Sequence, residues 1–223
     1  MTDGLVSING QNIETLQILF LTTILTLLPS LIVMMTSFTR YIISLSFIRT
    51  AMGTQQTPPN LVLIGMALVL TLFTMGPTFT KIQETAYEPY VKEQITQEEF
   101  VQRAEVPLKE FMIRNTKTDT LQMFCDLSKT QMPENVSVQS ISKLPMLVIM
   151  PSFLTCELQR AFEIGFLLYL PFMLIDIVVS STLMSMGMIM LPPAMISMPF
   201  KLLLFVSLHG WELLFSSLVQ GFR

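Results

Sequence analysis

Charge is what this sequence has least of. Only 13% of its 223 residues are Asp, Glu, Lys or Arg, about half the share of an ordinary soluble domain. The formal net charge is -3, and no basic stripe of the kind nucleic acid demands is present. Nucleic-acid binding is excluded on that ground. Histidine occurs once, as His209, which rules out a multi-histidine metal site. The two cysteines, Cys125 and Cys156, form neither a metal spacing nor a CxxC pair. They read best as unpaired thiols packed as small apolar groups. The HExxH and GxSxG motifs and Gly-rich phosphate loops are missing. An aspartyl intramembrane protease needs two carboxylates facing each other, yet Asp176 is the only Asp in an apolar run. No catalytic residue, cofactor or metal is expected, and the chain is not read as an enzyme. Met1 to Asn12 carries no Lys or Arg, so the basic start of a signal peptide is not evident.

What the chain does have is apolar length. Hydrophobic residues make up 51% of it, the mean hydropathy is +0.59, and the apolar residues cluster in runs. Four stretches compare with the roughly 20 residues a spanning helix needs. They are Leu16 to Thr39 (with a kink expected at Pro29), Leu61 to Thr80, Gly165 to Met190 and Leu202 to Phe222. A fifth run, Leu144 to Cys156, is too short to span and is interrupted by Pro145 and Pro151. Between Lys81 and Lys143 lie 8 of the 13 basic and 10 of the 16 acidic residues. The expected fold is therefore all-α and of membrane class, with long apolar helices and helical hairpins around one polar helical insertion. Residues 1–80 would hold N-terminal apolar helices and residues 81–143 the polar segment. Residues 144–223 would form an apolar hairpin with a methionine-rich loop.

Short loops set orientation through Lys and Arg. Arg40 to Asn60, read as a loop, holds Arg40 and Arg49 and no acid, which places it in the cytoplasm and the polar segment on the other side. That segment itself reads as helical. Thr96-Gln97-Glu98-Glu99 has the capping-box pattern, followed by Phe100, Ala104 and Leu108 at helical spacing, with Pro107 as a disturbance. Leu121, Phe124, Cys125 and Ser128 mark a second amphipathic piece, and Gln131 to Gln139 a connection.

Three constellations stand out. Asp176 lies in an apolar run, where an ionised carboxylate in lipid costs about 2.5 kcal/mol or more. It needs a base, Lys201 or Arg160, unless it is a helix-end carboxylate that reaches water. Glu157, Arg160 and Glu163 can meet on one helical face. Their surplus negative charge is either for pairing across a subunit interface or merely a solvated helix start. Eighteen methionines occur, seven of them between Met173 and Met198. Gly187 and the pair Pro192-Pro193 should end the helix there, placing Met186, Met188, Ile189 and Met190 on a turn. Flexible thioethers can repack around shapes that vary, as a closable constriction requires; ordinary packing is the alternative.

Several of these segments resemble a known family in order and spacing. Arg160-Ala161-Phe162-Glu163-Ile164-Gly165-Phe166, Leu170-Pro171-Phe172, Ile175-Asp176, Met186-Gly187-Met188 and Leu191-Pro192-Pro193 resemble the FliP family of flagellar export-gate proteins. So do Met34 to Arg40, Gly53-Thr54, Pro58-Pro59-Asn60 and Pro199-Phe200-Lys201. The resemblance runs from about residue 20 to the end, and the virulence-secretion relatives share the architecture. It implies a core subunit of the type III export gate in the bacterial inner membrane, at the flagellar basal body. It implies about five copies around a pore, together with FliQ and FliR, with FlhB and FlhA nearby. Unfolded flagellar proteins would be the substrates and membrane lipid the surroundings. It further implies that many apolar helices stand outside the bilayer plane in the assembled gate. Met188 to Met190 match the family's methionine gasket, with Ile189 where a methionine often stands. Glu157, Asp176 and Lys201 match its charged positions. Without the resemblance, a small-molecule membrane transporter subunit would be the first reading, because intramembrane charges mark transport pathways.

Overall fold

The structure, a computed structural model, describes residues 5–8, 11–14, 19, 22–23, 26–27, 30, 33–54, 56–133 and 143–222. Most of the first apolar stretch, Pro29 with it, and residues 134–142, which take in most of the expected Gln131 to Gln139 connection, lie outside these. A short antiparallel hairpin precedes the helices: β1 (Leu5–Ile8) pairs with β2 (Gln11–Glu14), Leu5 opposite Glu14 and Ile8 opposite Gln11. Every other described element is helical, as an all-α protein of membrane class requires.

The segment 40–60 is not a loop. Helix α1 (Phe38–Met52) occupies most of it, because Tyr41, Leu45, Ile48 and Met52 recur on one stripe and all are buried. A short turn leads to α2 (Asn60–Ile82), which continues through a π-helical turn (Gln83–Tyr87) into α3 (Glu88–Val91). The apolar run and the start of the polar segment thus share one helix of 32 residues. In the polar segment, α4 (Gln97–Arg114) begins at the expected capping box. The Thr96 hydroxyl accepts from the Glu99 N–H at 3.3 Å, and the Thr96 N–H donates to Glu99 Oε2 at 3.1 Å. Pro107 is accommodated inside α4, and α5 (Thr118–Leu127) follows.

Helix α6 (Met146–Ser185) has 40 residues, about 60 Å at 1.5 Å per residue. The expected break at Pro145 and Pro151 is absent. Pro145 is the N-cap, and Pro151 and Pro171 lie inside the helix. Each proline removes one N–H, and the carbonyls left over belong to Leu147 and Leu167, both exposed. Packing supplies the compensation. Val148, Ile149 and Phe153 close a core with Met112 and Ile113 of α4 and with Leu121 and Cys125 of α5. The polar helices therefore cover the first part of α6, and burial together with Asp126 pushes the Cys125 thiol up. Both cysteines are buried and free.

The second core joins α1, α2 and the later part of α6 to α7 (Pro193–Ser207) and α8 (Gly210–Gln220). Gly165 lets α1 approach α6: a Cβ there would stand 2.5 Å from the Phe47 ring. Among the described residues two helices, Asn60–Val91 and Met146–Ser185, are long and apolar enough to cross a membrane. The α7–α8 pair is a third only if counted as one span bent by 65°. His209 makes that bend, with φ +52°.

Candidate functional site

Helices α1 and α6 run in the same direction, with Arg40 beside Glu157 near one end and Phe47 against Phe162 further along. Lys201 meets the carbonyl of Ala51 where α1 ends. This sets two levels of paired charge along the molecule, the first buried and the second partly exposed at Asp176, and leaves the methionine turn beyond the second of them.

At the first level Arg40 and Glu157 are 1% and 0% exposed. The guanidinium grips the carboxylate with two groups, Nε reaching Oε2 at 2.7 Å and Nη2 reaching Oε1. Its Nη1 donates to the Gly221 carbonyl at 2.9 Å, and its Cζ lies 3.4 Å from the centroid of the Phe222 ring. Phe222 in turn stacks on Phe111 of α4 at 5.9 Å. Arg160 stands 3.6 Å from Glu157 as a second, partly exposed cation. Glu163 does not join them; its Oε1 accepts from Gln159 at 3.0 Å in solvent. The structure thus splits the expected acid–base–acid group, and the dominant partner of Glu157 comes from 117 positions away.

The second level is built on the α6–α7 hairpin. Asp176 Oδ2 accepts from Lys201 Nζ at 2.6 Å, and its Oδ1 accepts from the Ser197 hydroxyl at 2.6 Å. Lys201 donates a further bond to the Ala51 carbonyl at 3.1 Å. That places a cation at the C-terminal end of α1, where the helix dipole favours it. Arg160 is not involved. Ser197 and the Ala51 carbonyl were not foreseen from sequence, since neither a serine nor a backbone oxygen carries a signal of its own.

Beyond this level α6 ends in a Schellman motif. The Gly187 N–H returns to Met184 O at 3.1 Å and the Met188 N–H to Leu183 O at 3.0 Å. The motif needs a left-handed residue, and Gly187 takes φ +73° at no steric cost. Pro193 then starts α7 as its first residue. The turn in between projects Met186, Met188, Ile189 and Met190 outward, Ile189 at 83% and Met190 at 97% exposure. The described residues contain no group of His, Cys, Asp or Glu able to hold a metal.

Fold and site together define a helical membrane-class subunit whose buried charges join helices and whose apolar faces are left open. The FliP family model matches residues 21–218. The chain is 46% identical over 214 residues to the flagellar biosynthetic protein FliP of Aquifex aeolicus (strain VF5), covering 96% of this chain and 88% of that one. It is 47% identical over 209 residues to the protein of that name from Bacillus subtilis (strain 168), covering 94% and 92%. With that of Caulobacter vibrioides the identity is 44% over 228 residues, covering 100% and 84%. The chain belongs to the FliP family. Membership makes it a component of flagellar type III export at the bacterial inner membrane, in the flagellar basal body, working with other proteins of that apparatus. The small-solute transporter reading gives way to it.

Proposed function

We propose that several copies of this chain, about five, surround a pore with FliQ and FliR, next to FlhB and FlhA. Unfolded flagellar proteins would pass through that pore with no chemistry performed by this chain. The observation that carries the reading is the methionine turn. Apolar side chains exposed at a helix end on a Gly/Pro-bounded support, Ile189 and Met190 almost wholly so, call for neighbours outside the chain. Copies around an axis would supply them. The exposed stripe Phe162, Phe166 and Leu170 on α6 and the exposed Val69 and Phe73 on α2 offer area for lipid or adjoining subunits. Extraction in mild detergent should yield one large hetero-oligomer by native mass. A monomer or dimer that binds a small solute would overturn the reading.

The polar segment 81–143 belongs, in this reading, on the non-cytoplasmic side. Gln94→Cys, in a chain lacking Cys125, should react with an impermeant thiol reagent in intact cells. Reaction only after the inner membrane is broken would reverse the orientation.

The charges at Glu157, Arg160, Asp176 and Lys201 serve assembly in this proposal. Asp176→Ala leaves Lys201 with only a carbonyl acceptor, at a cost of about 1–3 kcal/mol, discounted because the Asp176 side chain is 37% exposed. Motility should fall sharply and the yield of complex with it. Exchanging the two charges should restore part of both, and full motility in Asp176→Ala would remove the charge from the mechanism.

A further inference from the structure

The Met186–Met190 turn closes a hairpin whose arms meet in an apolar contact, Phe172 of α6 against Phe205 of α7 at 6.5 Å, and in one polar cluster among the described residues: Asp176 on α6, Ser197 and Lys201 on α7. Ser197 and Lys201 are four residues apart and so lie one above the other on α7. One turn of helix thus presents a hydroxyl to one oxygen of the carboxylate and an ammonium to the other. The two donors differ in kind. An ammonium on four methylenes is a rotating point charge that can follow a carboxylate through many helix positions. A serine hydroxyl sits one bond from Cβ and cannot. Ser197 is 0% exposed, and its single proton has two acceptors in range, Asp176 Oδ1 at 2.6 Å and the Ala194 carbonyl at 3.3 Å. The shorter, charge-assisted bond takes it.

We propose that Ser197 is the positioning residue that fixes how far α7 can slide along α6, and thereby where the methionine turn stands. Lys201 extends the same register to α1 through the Ala51 carbonyl. The link to gating rests on the pore reading given above; the register itself does not. A slip of one residue would move the turn by about 1.5 Å along the helix axis, enough to open a ring of thioethers in contact.

The test uses the assembled complex, in which hydrogen exchange of segment 186–200 reads the register and ion leak reads the gate. Ser197→Ala should speed exchange of that segment about tenfold, the equilibrium equivalent of one hydrogen bond to a charged group, while α4 is unchanged. Ser197→Thr keeps the hydroxyl and should stay within about twofold of the unsubstituted chain. Should the alanine form not assemble, Ser197→Cys, close in size and a weak donor, should exchange at an intermediate rate. Unchanged exchange in Ser197→Ala or Ser197→Cys, or threonine as fast as alanine, would overturn the proposal. Fast exchange without any leak would keep the register and detach it from the gate. Leaky methionine variants beside unchanged exchange in Ser197→Ala would keep the gate and dismiss Ser197.

Discussion

Arg40→Ala and Glu157→Ala are expected to leave little folded chain in the membrane fraction. The pair is fully buried: removing Glu157 strands the Arg40 charge, and removing Arg40 leaves Glu157 only the longer contact to Arg160, at about 3–5 kcal/mol for a broken buried pair. That is a large part of the 5–15 kcal/mol by which a domain is stable. Arg40 is the costlier loss, because its guanidinium also holds the Gly221 carbonyl and underlies the Phe222 ring. Glu157→Ala spares those contacts, and Arg160, which loses its carboxylate too, is partly exposed and keeps access to water. Removing both charges is a different matter. Buried ion pairs replaced by apolar groups of similar volume are often neutral in stability, so Arg40→Met with Glu157→Leu should regain most of the folded yield. Melting temperatures in detergent measure the series. Single variants that melt like the unsubstituted chain would mean that the pair is not buried in the protein in solution.

The same pair marks the limit of what the sequence discloses. Arg40 was visible as a cation after an apolar run, and a cation in that place is ordinarily a loop residue that sets orientation. Its partner lies 117 positions on, and no local pattern connects two residues so far apart. The helix that carries Arg40 is hidden for a related reason: two cations with no acid mark a short loop, and they mask the stripe of Tyr41, Leu45, Ile48 and Met52. With Arg40 neutralised by Glu157, the loop argument for topology keeps only Arg49, which is turned to Asn60 and the Pro58 carbonyl. Prolines misled in the same direction. Pro107 and Pro151 carry real local penalties, yet both lie inside helices because α4, α5 and α6 bury one another. Local signals did better where the physics is local. The Thr96–Glu99 box, the amphipathic α5 and the Gly187 stop each depend on residues within one turn of helix. The Asp176–Lys201 contact falls between these cases. So few bases stand outside the polar segment that two candidates could be named, but choosing between them required the fold of the α6–α7 hairpin.

Met188→Ala with Met190→Ala should give an assembled complex that leaks ions and small solutes, on the order of tenfold above background, if thioethers form the barrier by excluding water. The turn's backbone does not depend on these side chains. Its hydrogen bonds run from the Gly187 and Met188 N–H groups to α6 carbonyls, and Gly187 and Pro192-Pro193 hold its ends. Truncation therefore removes apolar bulk from the rim without refolding the support. Each alanine deletes the part of the side chain furthest from the backbone, so an encircling set would lose contact at its centre first. Leucine, of similar volume, should leak less. It should also slow export, since a branched side chain repacks less readily than a thioether. Ile189 is the natural comparison: it is 83% exposed and already branched, and Ile189→Met should relax the rim without opening it. The competing account has these residues only packing helix against helix. Alanine would then lower the amount of complex recovered and leave permeability per complex unchanged. Recovered complex and leak, measured in the same cells, separate the two accounts, and an intact complex with no added leak would take the barrier role away from Met188 and Met190.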